Sequence, residues 1–235
     1  MVSLDIIQEN LSKIQEKIEI HARKAGMNPE QITLIGVTKT FDIETVRNTF
    51  LAGIQNIGES KVQEALPKIE NLGDLQVNWH FIGHLQTNKV KHVVGKFSLI
   101  QSVDSLKLAK EIDKIAAKNG LIQPVLIEVN ASGEVSKFGL DPEEIDQFME
   151  TAMQLQNIKI KGFMTIGAFT EDENEIRLSF IRLRNIFEKY QHLKESNLEI
   201  EILSMGMTDD FHLAIEEGSN MIRIGRGLFG PRYYH

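Results

Sequence analysis

Two patterns of apolar positions alternate along the chain. Leu4, Ile7, Leu11, Ile14, Ile18 and Ile20 fall mostly three and four residues apart, the spacing of one helical face. They predict an opening helix, which Asn28-Pro29 ends. Ile32-Thr33-Leu34-Ile35-Gly36-Val37 is instead a nearly unbroken apolar run, the mark of a parallel strand covered on both faces. Further strands are expected at 55–57, 79–82, 97–101, 124–129, 158–164, 198–203 and 221–224. Helical spacing lies between most of them. Asp42 is placed to cap a helix running to Leu51, and others are expected at 63–71, 105–119, 142–155, 173–190 and 209–216.

Strand–helix alternation from end to end implies a parallel sheet. Eight strands in 235 residues, after an extra N-terminal helix, fit a closed TIM-type (β/α)8 barrel better than an open doubly wound sheet. No Pro/Gly/Ser-rich linker or low-complexity stretch interrupts the pattern. Residues 1–235 are therefore expected to form a single α/β domain, long enough to bury a substantial core.

Composition narrows the chemistry. There is no cysteine, which removes disulfides, thiolate nucleophiles and Cys-based zinc sites together. No apolar run approaches the roughly 18 residues that cross a bilayer, and residues 1–19 lack the basic start and apolar middle of a signal peptide. A cytoplasmic protein without membrane attachment is expected. The net charge of −7 lacks the basic footprint of a nucleic-acid binder. Lys89, Lys91, His92 and Lys96 form a short basic cluster, read as a solvated helix face.

In such a barrel the active face lies at the C-terminal ends of the strands. Lys39 follows the first strand directly. There a lysine either reaches water as an ordinary strand end, or is desolvated enough to offer a neutral amine to a carbonyl carbon. A second group lies at the other end of the chain: Leu203 to Asp210, and Ile222 to Gly230. Loops after the seventh and eighth strands often bind phosphate in these barrels. Gly206, Gly225 and Gly227 permit close backbone approach, and Ser204 offers a hydroxyl. Arg223, inside the last strand, needs an acceptor: the ring nitrogen of a cofactor, or a core salt bridge. His80 and His84 stand four apart on a strand running into a loop, not on a helix, so no zinc pair is expected and His80 is read as a satisfied core histidine. Met205 and Met207 are assigned to packing, and Asp209-Asp210 to helix capping.

Several of these fragments, in this order, resemble the pyridoxal phosphate homeostasis protein family over nearly the whole chain. They are Val37-Thr38-Lys39-Thr40, Ile57-Gly58-Glu59 with Val62-Gln63-Glu64, Trp79-His80-Phe81-Ile82-Gly83 with Leu85-Gln86, and Ser102-Val103-Asp104. Lys137-Phe138-Gly139-Leu140, Gly162-Phe163-Met164, Leu203 to Met207, and Arg223-Ile224-Gly225 with Phe229-Gly230 complete the series. The resemblance implies a fold like the N-terminal barrel of alanine racemase, pyridoxal 5'-phosphate as cofactor, and Lys39 as its Schiff-base lysine. It implies that Ser204, Gly225 and Arg226, largely through backbone groups, cradle the phosphate, and that Arg223 lies near the pyridine nitrogen. Two positions depart from the family pattern: Ser60 stands where asparagine is usual, and Arg226 where threonine is frequent.

The family's role would be storage, delivery or buffering of the cofactor, with no catalytic residue, acting as a monomer or weak dimer that supplies pyridoxal-phosphate-dependent apoenzymes. The alternative is an amino-acid racemase. That reaction needs acid/base groups on both faces of a bound substrate, whereas the chain has only Tyr190, Tyr233 and Tyr234 as tyrosines and no second domain after the eighth unit. A third reading, an aldolase-type barrel using Lys39, would not need Arg223 beside a ring nitrogen. Lys137 is the next candidate anchor should Lys39 not serve.

Overall fold

Among residues 1–231, which the computed structural model describes, eight parallel strands close on themselves in chain order. They are β1 (Thr33–Val37), β2 (Asn56–Glu59), β3 (Asn78–Phe81), β4 (Leu99–Val103), β5 (Gln123–Glu128), β6 (Ile158–Met164), β7 (Leu198–Ser204) and β8 (Met221–Ile224). β1 completes the barrel by pairing with β8, Ile35 against Arg223 and Gly36 against Ile224. The helices are α1 (Leu4–Lys24), α2 (Ile43–Leu51), α3 (Val62–Asn71), α4 (Leu106–Lys118), α5 (Ile145–Ala152), α6 (Glu173–Tyr190), α7 (Phe211–Glu216) and α8 (Arg226–Phe229). This is the expected (β/α)8 barrel with an extra N-terminal helix.

The unbroken apolar runs follow from the barrel's two cores. Successive strand residues face opposite sides. Ile35, Val37, Leu99, Leu126, Met164 and Met221 meet inside the barrel. Their neighbours, including Val125, Ile127, Phe163 and Ile222, pack outward under the helices. Gly162 marks a close approach of strands: its φ is +144°, and a Cβ there would lie 1.9 Å from the Ile202 carbonyl oxygen.

α1 carries its buried stripe on Ile7, Leu11, Ile14, Ile18 and Ala22 and lies against α2, α7 and α8. Ile20, expected on that stripe, is exposed, because it lies two residues past Ile18, on the opposite side of a 3.6-residue turn, and Ala22, four past Ile18, takes the buried position. Asp42 caps α2 as expected, accepting from Thr45 N–H at 2.8 Å.

Several segments differ from the sequence expectation: β2 runs to Glu59 rather than 57, and α7 starts at Phe211 rather than 209. The fourth strand begins at Leu99 rather than 97; Phe97 is drawn outward into an edge-on contact with Phe81, ring centroids 5.4 Å apart. The segment expected as a helix at 142–155 splits into a 3₁₀ turn, Pro142–Glu144, closed by an Asp141 capping box, and α5. The basic cluster lies partly on a 3₁₀ turn, Thr87–His92, not on an α-helical face.

Candidate active site at the barrel mouth

A cavity of about 460 Å³ opens at the C-terminal ends of the strands. Lys39 enters it from the end of β1, Arg223 from β8, and Gly225 and Arg226 from the turn that follows. Ser60, Ile82, Met164, Ile166 and the segment 207–209 complete the wall. Two parts of the chain that sequence reasoning singled out separately, 184 residues apart at Lys39 and Arg223, thus meet because β8 closes onto β1.

Lys39 sits half-buried in the turn between β1 and α2. The next residue, Thr40, has φ +72°, and it is the one non-glycine residue with positive φ among those described. Such strain costs on the order of 1–3 kcal/mol and concentrates at functional sites.

Arg223 is 5% exposed. It forms no salt bridge among the described residues; its guanidinium donates from Nη1 to Ser204 Oγ at 2.6 Å and from Nη2 to the Thr165 carbonyl at 2.7 Å. The core salt bridge considered from the sequence is thus replaced by neutral acceptors. Burial lowers its pKa to about 10, with Asp210 and Glu128 acting the other way, so it stays a cation at neutral pH.

From Arg223 a chain of hydrogen bonds runs through the barrel interior in one direction. Ser204 Oγ donates to Gln101 Oε1 at 2.7 Å. Gln101 Nε2 donates to His80 Nδ1 at 3.2 Å, and His80 Nε2 then donates to Asn56 Oδ1 at 3.1 Å. Burial lowers the His80 pKa to about 4, so the ring is neutral and its one proton fits this direction. His80 is the satisfied core histidine that the sequence favoured. Ser204 does not reach the cavity wall: it is fully buried, and its hydroxyl is committed to Gln101 and Arg223.

Gly225 precedes the single turn of α8, whose first N–H groups have no intrahelical acceptor. Gly227 N–H is met by Thr208 Oγ1 at 3.1 Å. A Cβ on Gly227 would lie 3.1 Å from Ile224 Cγ2 and 3.2 Å from Thr208 Cγ2, so glycine keeps this turn tight. Arg226 is exposed and paired with Asp209. Gly206, expected to admit an anion, has another cause: at φ +96° a Cβ would lie 2.6 Å from Ala214 Cβ, so the residue lets α7 pack close.

The aspartates do not cap as expected. Asp210 makes no side-chain capping bond to α7; its carboxylate turns back to accept from Met207 N–H at 2.5 Å. Met205 is buried, as packing predicts, but Met207 is 39% exposed and lines the cavity. Lys137 lies outside this cavity wall, donating to Glu134 Oε1 at 2.6 Å and to the Gly167 carbonyl at 2.5 Å. His84 pairs with Asp104 at 2.9 Å and stacks on Phe138. Among the described residues no group of three His, Cys, Asp or Glu side chains could hold a metal ion.

Sequence reasoning missed Gln101, Thr165 and Thr208. Gln101 and Thr165 join through pairings across the barrel that no local pattern encodes. Thr208 stood inside the segment singled out after the seventh strand, but its bond to Gly227 depends on the neighbouring loop.

The chain's relatives bear on this site. The family described as alanine racemase, N-terminal domain, matches residues 2–233. The pyridoxal phosphate homeostasis protein of Aquifex aeolicus is 44% identical over 226 residues, covering 96% of this chain and 98% of the relative. That of Escherichia coli is 35% identical, covering 97% of each. PipY of Synechococcus elongatus, solved with PLP bound, superposes with a TM-score of 0.83 at 32% identity, covering 95% of this chain and 100% of PipY. Alanine racemase of Clostridium difficile shares the fold, with a TM-score of 0.77 at 19% identity; the match covers 99% of this chain but 58% of the racemase.

Proposed function

The chain belongs to the alanine racemase N-terminal domain family and, within it, to the pyridoxal phosphate homeostasis proteins, and from that premise we propose that it binds pyridoxal 5'-phosphate at the barrel mouth and serves in its intracellular homeostasis. The observation that carries the reading is the convergence of Lys39, Arg223, Gly225 and Arg226 on one cavity. When bound, the cofactor supplies an aldehyde that condenses with a primary amine.

The donor set fits this group. The cavity lies in the size range of small-molecule sites. Lys39 provides the amine. Arg223, cationic and held by two neutral acceptors, suits an unprotonated ring nitrogen and weakens the ring as an electron sink. The tight turn at Gly225 and the Arg226 side chain suit a phosphate. Ser204 acts from beneath, by fixing Arg223. Arg226 takes the phosphate through its backbone or by exchanging Asp209 for it, which compensates for the threonine hydroxyl frequent in the family.

The reading is of a binding protein rather than an enzyme. Tyr190 lies in α6 with its hydroxyl donating to Asp146 at 2.5 Å, which leaves it unsuited to act on a substrate at the mouth. Tyr233 and Tyr234 lie outside the described residues. Residues 1–235 would act as one unit in the cytoplasm, as a monomer or weak dimer, releasing the cofactor to pyridoxal-phosphate-dependent apoenzymes.

The test is titration of the purified chain with pyridoxal phosphate, followed by visible absorbance before and after borohydride. The wild type is expected to gain a visible band that reduction abolishes. Lys39→Ala should keep its circular dichroism and lose the band. A band that survives in Lys39→Ala would place the anchor elsewhere, with Lys137 next to be replaced.

A further inference from the structure

The residues on either side of Lys39 are gripped by a neighbouring unit of the barrel. Before it, Thr38 donates its N–H to the Gly58 carbonyl at 3.1 Å and its hydroxyl to Glu59 Oε1 at 2.6 Å. The Thr38 carbonyl accepts from the Lys68 ammonium at 2.9 Å. After it, Thr40 donates its N–H to Glu64 Oε2 at 3.0 Å. Glu59 ends β2, while Glu64 and Lys68 stand four apart on one face of α3. One β2–α3 unit therefore supplies all three side chains.

Lys68 also pairs with Glu59 Oε1 at 2.7 Å, and the pair is buried, with side-chain exposures of 6% and 0%. A buried ion pair is a poor source of stability, since apolar residues of equal volume usually serve as well. This one is not even saturated, because Glu59 Oε2 is buried without a partner among the described residues. What the pair does that an apolar pair could not is hold both the hydroxyl and the carbonyl of Thr38. The third side chain, Glu64, holds the left-handed residue on the other side of Lys39.

We infer that Glu59, Glu64 and Lys68 are positioning residues for Lys39, fixing the turn 38–40 so that the amine faces the cavity before any cofactor arrives. Preorganisation of this kind raises affinity by removing the cost of ordering the turn on binding. The inference rests on Lys39 being the anchor.

Glu64 gives the cleaner test. Its side chain is 30% exposed, whereas a change at Glu59 or Lys68 leaves a buried group unpaired and endangers the fold. The full chain is titrated with pyridoxal phosphate by absorbance, beside thermal melts of the cofactor-free protein. Glu64→Ala is expected to weaken binding about tenfold, the size of one hydrogen bond to a charged acceptor, with little change in melting temperature. Glu64→Gln, which keeps an acceptor oxygen for Thr40 N–H, should return to within about twofold of wild type. Unchanged affinity in Glu64→Ala overturns the inference, as does an equal loss in both variants or a loss matched by a large fall in melting temperature. If instead the wild type gains no band, or Lys39→Ala keeps it, the reading of Lys39 fails, so the two failures are distinguishable.

Discussion

Glu128 illustrates how the barrel sets the chemistry of a single residue. It ends β5 on the same face as Leu126, which points inward, and it is 4% exposed. Burial, with Asp104 adding to it and Arg223 opposing, pushes its carboxyl up to about 7. Displaced values of this kind concentrate at functional sites. The folded chain then binds this proton more tightly than the unfolded chain, whose carboxyl titrates near 4.5. Stability must therefore fall as pH rises from about 4.5 through about 7 and stay lowered above that. Glu128→Gln removes the ionisation, so its stability relative to wild type should rise with pH, by up to about 3 kcal/mol at pH 8. Urea denaturation at pH 5 and pH 8 measures this; an equal difference at both would show that the carboxyl titrates normally. Nothing in the strand pattern announced Glu128, because alternation marks a position as inward without saying what it meets. Arg223 was different: a cation inside an apolar run needs a partner, though only the barrel's closure shows that its partners are Ser204 and Thr165.

At the scale of elements, Glu216 ties the outer layer together. From α7 it accepts from His21 and Lys24 of α1, each at 2.7 Å, and from Arg177 of α6 at 2.5 Å. Burial pushes its carboxyl up, but hydrogen bonds from Lys24, Arg177 and His21 outweigh it and hold the pKa at about 2. Because the folded value is depressed, this contribution is full above the ordinary carboxylate range near 4.5 and is lost as pH falls toward 2. Glu216→Gln should lower the melting temperature at pH 7, and the gap to wild type should narrow below pH 4.5 and close only as pH reaches about 2; parallel curves across that range would mean the cluster adds nothing. The elements themselves were largely legible from the sequence. All eight strands and the longer helices come from apolar spacing, because a parallel strand buried on both faces and an amphipathic helix leave different periods. The fourth strand and the split helix before β6 shifted where Phe97 and Asp141 made tertiary or capping contacts that outweigh local spacing. α8, a single turn, is too short to leave a period.

At the scale of the whole molecule, closure of β8 onto β1 brings Lys39 and Arg223 to one cavity. The loop after β7 adds the rest of the wall, and the β2–α3 unit holds the turn from the side. The apolar runs draw attention to Lys39 and Gly225 just beyond strand ends and to Arg223 within the last one, whereas Arg226 is named only through the family resemblance; all four line the cavity. The resemblance also places Ser204 in the cradle, largely through its backbone; its hydroxyl is engaged with Gln101 and Arg223. The central claim is that Lys39 anchors pyridoxal phosphate. Its most direct test is to load the wild-type chain with the cofactor, reduce with borohydride, digest, and locate the phosphopyridoxyl group by peptide mass spectrometry. A single modification on Lys39 is the predicted result; modification on Lys137 or another lysine, with Lys39 unmodified, would contradict the account.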